Sequence, residues 1–380
     1  MRTTTALLCL ILLVVPALAG EKADKRKAEK ARKERQDALE DARKARKKRA
    51  KANKKTNEEL GEKLNEVMKS FTDFSGAVLV VKDGMKILEQ GYGLADRDNE
   101  RANAADTLFD LGSLSKQFTA AAALKLETEG KLSTDDKLSK FWSDLPEDKR
   151  EITVHQLLTH TGGLARKYDF GDVDSRDRDA VVRQLLKTPL AHEPGSAFEY
   201  SNSDYFILAA IIDKQTPKGF DEYLRESIFK PAELKSTGLT GDESLDRKKA
   251  AARYANGEQR GTSVDYGWHW GFRGATGVIS TVGDLWLWTL ALEDEEVLNF
   301  EAKEKLWKVE KKDYACGWEI LKSPRDTRKI HHSGAAFGAL AWYAWYPEDD
   351  VMIAVLLNDA SDTQLHFRVA DALEAAAVSK

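Results

Sequence analysis

Residues 107–130, "TLFDLGSLSKQFTAAAALKLETEG", place a serine and a lysine three apart, Ser113 and Lys116, where a helix begins. Phe118, Ala121, Ala122, Leu124 and Leu126 carry the helical period, and Gly130 is a suitable stop. Positions i and i+3 share a helix face, so the Lys116 stem can run beside Ser113. N–H groups at a helix start favour negative charge, and burial disfavours the charged form of an amine. A neutral Lys116 could take the Ser113 proton, which suits the pair to making a serine nucleophile. Taken alone, "SLSK" also reads as a helix cap followed by a solvated lysine.

Outward from this helix the chain is strand-rich at both ends. "SGAVLVVKDGMKILEQGYGLAD" (75–96) predicts a hairpin, Ala77–Val81 and Met85–Gly91 around Lys82-Asp83-Gly84. "GALAWYAWYPEDDVMIAVLLND" (338–359) predicts strands Ala339–Tyr346 and Val351–Leu357 around 347–350. "TQLHFRVADALEAAAV" (363–378) reads as a closing amphipathic helix, and the middle is mostly helix and loop. Two strand-rich ends around a helical insertion indicate an α+β fold with a mainly antiparallel sheet.

Two further segments carry polar side chains of interest. In "AFEYSNSDYFILAAII" (197–212), Tyr200 and Asn202 lie two apart before an apolar helix. In extended chain i and i+2 point to the same side, so a phenol and an amide could face one cleft. The alternative is a helix start capped by Ser201 or Ser203, with Tyr200 packed beneath. In "RKIHHSGAAFGALAWY" (328–343), His332, Ser333 and Gly334 open a strand whose small residues let backbone approach a ligand. The Ala335 N–H could then join that of Ser113 in donating to an oxyanion.

Ser-x-x-Lys, Tyr-x-Asn and His-x-Gly in that order resemble the serine β-lactamase and penicillin-binding superfamily. The branch most resembled holds class C β-lactamases, D,D-peptidases with a His-x-Gly third motif, D-aminopeptidases and esterases. "DTLFDLGSLSKQFTA", "ITVHQLLTHTGGL", "EPGSAFEYSNSDYFILAAII" and "GATGVISTVGDLWLW" strengthen the resemblance, which spans 75–378. It implies an antiparallel sheet flanked by helices beside an all-helical lobe, with the cleft between them. It further implies Ser113 as the acylated nucleophile, with Lys116 and Tyr200 sharing proton transfer. Asn202 would hold Lys116 and the substrate, and His332, Ser333 and Gly334 would bind substrate. The N–H groups of Ser113 and Ala335 would form the oxyanion hole.

In β-lactam-hydrolysing members the third motif usually carries lysine; here it is His332. An ordinary histidine is partly charged at neutral pH, so it is expected to recognise a carboxylate weakly and pH-dependently. That points to a peptidase or esterase working through an acyl-enzyme, with β-lactamase and a non-catalytic envelope-binding protein as alternatives. No metal or organic cofactor is called for. Of the other histidines, His155 and His160 read as hydrogen-bonded structural residues. "YGWHWGF" (266–272) reads as a loop near the cleft.

The N-terminus has a different character. "MRTTTALLCLILLVVPALAG" (1–20) has a basic residue, a short apolar run and small residues at 17 and 19, the pattern of a cleaved signal peptide over 1–19. Export to the periplasm or beyond follows, with no transmembrane span in the mature chain. Cys9 would leave with the signal, so Cys316 has no intrachain partner and reads as a small buried residue. Residues 21–55 hold 17 Lys/Arg against 7 Asp/Glu, whereas the chain from 56 onward carries a balance of −15. Within the basic segment Leu39 is the one large apolar residue, and no heptad seam runs through it. It is expected to be a helical or disordered spacer over 20–57, ahead of a hydrolase domain at 58–380. Contact with an anionic envelope surface is the second reading; nucleic acid is disfavoured because no aromatics are interleaved.

Overall fold

The structure is a computed structural model describing residues 21–169 and 175–378. The expected signal peptide lies outside the described residues. The helices are α1 (Glu21–Ala52), α2 (Lys54–Lys69), α3 (Ser115–Thr128), α4 (Val154–Leu158), α5 (Arg178–Leu185), α6 (Asn202–Gln215), α7 (Gly219–Leu224), α8 (Val282–Glu293), α9 (Phe300–Leu306) and α10 (Leu365–Ala377). Strands β1 (Gly76–Lys82) and β2 (Met85–Tyr92) form the first hairpin. The short strands are β3 (Leu94–Asp96), β4 (Arg101–Ala102), β5 (Phe109–Asp110), β6 (Gly238–Leu239), β7 (Ala252–Ala255), β8 (Glu258–Thr262) and β9 (Val278–Ser280). The chain closes with β10 (Glu319–Lys322), β11 (Arg328–Ala336), β12 (Ala339–Tyr346) and β13 (Val351–Leu357).

The two ends of the chain build one antiparallel sheet in the order β10-β11-β12-β13-β1-β2. β1 is joined to β13 across the whole sequence, Gly76 opposite Leu357 through Lys82 opposite Val351. Both hairpins turn on left-handed residues, Asp83 and Gly84 in one and Asp350 in the other. The central strands are buried on both faces, and their period of two divides the core. Ala77, Leu79, Val81, Tyr343, Ala354 and Leu356 face one core with Phe118, Ile211 and Trp288. Val78, Val80, Trp342, Ile353 and Val355 face the other, closed by Leu64 and Met68 of α2 and by Val369 and Leu373 of α10. Helices α3 to α7 form the helical lobe around α6, whose residues from Ser203 to Ile212 are all buried.

Within the expected spacer, α1 packs against the body. α1 lays Arg35 on Glu295, Arg43 on Asp294, Arg46 on Glu293 and Asp350, and Arg49 on Asp83 and Asp350. Leu39 joins Trp307, Trp345, Phe300 and Pro347 around a small cavity beneath the helix. Residues Glu21–Ala52 are helical, one of the two forms expected of the 20–57 segment, and these ion pairs lay the helix against the body.

Candidate active site

Gly112 begins the site. Its φ of +53° is left-handed, and a Cβ there would lie 2.6 Å from the Ala335 nitrogen. Across the gap, a Cβ on Gly334 would lie 2.1 Å from the Leu111 carbonyl oxygen and 3.0 Å from the Ser113 nitrogen. Two glycines thus let the turn before α3 press against the open end of β11. The Ser113 and Ala335 nitrogens both lie at that contact, and Asp110 accepts the Gly112 N–H at 2.9 Å. Ser113 is half-buried, and Ser115 holds β9 by accepting the Val278 N–H at 3.0 Å.

Lys116 follows one turn on, fully buried. Its Nζ lies 3.0 Å from Ser113 Oγ, 2.8 Å from Asn202 Oδ1 and 3.0 Å from the Ala275 carbonyl oxygen. The last two can only accept, and together they use two N–H bonds of a neutral amine. That leaves its lone pair for the Ser113 hydroxyl. Burial pulls the amine down to about 7, against the opposing pull of the Asp204 carboxylate.

Tyr200 and Asn202 arrive as the extended geometry requires. Ser201 has extended φ and ψ and caps α6 by accepting the Ser203 N–H at 3.2 Å, so the cap and the site alternate along residues 200–203. The Tyr200 ring centroid lies 4.8 Å from Lys116 Nζ. Burial pushes its phenol well above the ordinary value, while a hydrogen bond with Ser113 acts the other way. The phenol therefore keeps its proton at working pH.

His332 corrects an expectation. It is 3 % exposed, and both ring nitrogens are engaged by the protein. Nδ1 lies 2.6 Å from the Ser333 carbonyl oxygen, which can only accept, so Nδ1 carries the hydrogen. Nε2 then accepts from the Tyr314 hydroxyl at 3.2 Å. Burial, helped by the Lys116 charge, pulls the imidazole down to about 3. His332 is therefore a neutral support at working pH, and the partly charged carboxylate binder expected from an ordinary histidine pKa is not what the fold makes. Ser333 is half-buried and Ala335 is exposed along the same strand.

Several residues here carried no usable sequence signal. Tyr314 reaches His332 from the loop before β10, and Ala275 contributes only its carbonyl group. Below Tyr200, His160 stacks at 4.4 Å between ring centroids and sets its Nδ1 2.6 Å from Asp204 Oδ2, both fully buried. Burial drives His160 well down and Asp204 well up, so the pair is neutral as a unit. His160 is structural as expected, and His155 pairs with Glu310 at the surface. The 266–272 loop brings Tyr266 and Phe272 to within 6.1 and 5.6 Å of Phe337 by ring centroids, two residues past Ala335. Phe337 is 59 % exposed. Cys316 is buried, and its thiol is pushed up to about 12 by that burial, which leaves it inert.

Comparisons with known proteins give the family and the fold. Residues 64–378 match the family described as Beta-lactamase. Penicillin-binding protein 4* of Bacillus subtilis is 28% identical over 83% of this chain and 73% of its own length. Protein flp of Staphylococcus aureus is 33% identical over 42% of this chain, which is 34% of its own length. The penicillin-binding protein structure from Bacillus halodurans superposes with a TM-score of 0.71 at 27% identity, covering 82% of this chain and 98% of that one. The chain belongs to the Beta-lactamase family and is a serine hydrolase built on its fold.

Proposed function

We propose that this chain is exported and hydrolyses a neutral ester or a peptide-like amide through an acyl-enzyme on Ser113. The observation that carries the reading is a fully buried lysine whose Nζ lies 3.0 Å from the serine oxygen. Neutral Lys116 takes the Ser113 proton as Oγ attacks the substrate carbonyl. The N–H groups of Ser113 and Ala335 receive the developing oxyanion. Tyr200, protonated at working pH, donates to the leaving group, and Lys116 restores its proton. Water then attacks the acyl carbonyl by the same path in reverse. Asn202 holds the amine in place through its Oδ1, and its NH₂ is left to donate to the substrate.

The substrate preference follows from the third motif. His332 supplies no cation, so a free substrate carboxylate finds no charged partner at that position. This favours esters and neutral amides over β-lactams, which carry such a carboxylate.

The test is a hydrolysis panel of short acyl esters, D-Ala-D-Ala peptides, D-amino-acid amides and a chromogenic cephalosporin, run beside Ser113→Ala. Esters or neutral amides should turn over, and a fluorophosphonate should label the wild type alone. Turnover that survives in Ser113→Ala would remove the assignment. Binding without labelling would favour the non-catalytic alternative.

A further inference from the structure

α1 sorts its cations by type. Three of its arginines face the body: Arg35, Arg46 and Arg49 reach Glu295, Glu293, Asp83 and Asp350, carboxylates that are all largely buried. Its lysines face away. Lys44, Lys47, Lys48 and Lys51, with Lys55 at the start of α2, are exposed at intervals of three, one, three and four, one stripe on a helical surface. Arg46 and Lys48 are two residues apart, about 200° around the axis, so the stripe lies opposite the docked face. It runs about 16 Å along the axis. Lys44 pairs with Glu40, and Lys55 sits 3.8 Å from Glu59. Lys47, Lys48 and Lys51 have no ion pair among the described residues. A rigid fork suits the arginines to fixed carboxylates, and a mobile ammonium suits the lysines to diffuse charge.

We propose that this lysine stripe is a docking surface for an anionic lipid bilayer. The remainder of the protein is acidic, with a balance of −15 from residue 56 onward, so it is repelled by such a surface. The stripe reverses that locally and holds the body on the far side of α1. A plane touches only the outward face of a helix. A nucleic-acid groove must also meet its flanks, and here Arg43, Arg46 and Arg49 are committed to the protein's own carboxylates. The outward face carries no aromatic ring for base stacking.

The experiment is co-sedimentation of the full chain with phosphatidylcholine vesicles, with and without phosphatidylglycerol, across a salt series. The variant is Lys47→Gln/Lys48→Gln/Lys51→Gln, checked for folding by far-UV circular dichroism; all three side chains are exposed. Wild type should bind the anionic vesicles more tightly than the neutral ones, and less as salt rises. The triple variant should lose roughly 100-fold of that affinity, about fivefold per lysine. Equal binding by wild type and variant would overturn the proposal. So would tighter binding of wild type to heparin or duplex DNA than to the anionic vesicles.

Discussion

The buried amine makes a prediction that pH alone can test. Bringing Lys116 from 10.5 to about 7 disfavours its cation by about 5 kcal/mol. At pH 7 an ordinary lysine is about 0.03 % neutral, and this one is about half neutral. The gain in competent base is therefore roughly a thousandfold, within the range of about 10²–10⁴ expected of a positioned general base. The sign is fixed by which form works. Neutral Lys116 accepts the Ser113 proton, so kcat/KM should climb with unit slope on the acid side and level off above about pH 7. Stability follows the same group. Between about 7 and 10.5 the unfolded chain binds the proton that the native state does not, so unfolding free energy should rise with pH across that window. Lys116→Met should abolish both trends. The assay is initial-rate hydrolysis of a short-chain ester at constant ionic strength, beside urea unfolding of both proteins over the same pH range. An acid limb centred near 10, or a Lys116→Met variant with the wild-type limb, would refute the assignment of Lys116 as base.

Two further outcomes follow from packing and charge. His332→Lys should destabilise the protein by about 3 kcal/mol or more, because it sets an ammonium in a 3 % exposed site near Lys116. The urea midpoint reads this, and an unchanged midpoint with improved turnover of carboxylate-bearing substrates would show that the site tolerates a cation. Arg46→Ala should cost about 3 kcal/mol and open α1 to proteolysis, since it strips Glu293 and Asp350 of a partner with all three groups largely buried; equal cleavage of wild type and variant would contradict docking.

Local pattern carried much of this architecture into the sequence. The two hairpins and α10 were legible because strand alternation, left-handed turn residues and helical period are properties of neighbours. Ser113 with Lys116, and Tyr200 with Asn202, are likewise spacings within one element. What was not legible depends on distance. Arg46 meets Glu293 and Asp350 across 247 and 304 residues, so no window of sequence could show that α1 docks. One signal was present: arginines at 35, 46 and 49 and lysines at 44, 48 and 51 fall on opposite helical faces. The small sheets β5-β9-β6 and β7-β8 have strands of two to five residues, too short for periodicity. The neutrality of His332 depends on Tyr314 and on burial, neither of which the His-x-Gly motif encodes.

That neutrality bears on Lys116 itself. Protonating His332 would place a second cation within reach of the buried amine, and the two suppress each other's charge. His160 is held neutral for the same reasons, burial first and the Lys116 charge second. A permanent lysine at position 332 would lower Lys116 further and offer an anchor for substrate carboxylates. The histidine does neither. It spends both ring nitrogens on Ser333 and Tyr314, fixes the strand that presents Ala335, and leaves the Lys116 proton to be governed chiefly by burial. Catalysis and substrate charge are thereby separated. The residue that decides whether a carboxylate is welcome no longer tunes the base, so pH should act on turnover of neutral and anionic substrates through one shared limb, that of Lys116. A second limb appearing only with carboxylate-bearing substrates would locate an anion-binding group elsewhere in the cleft.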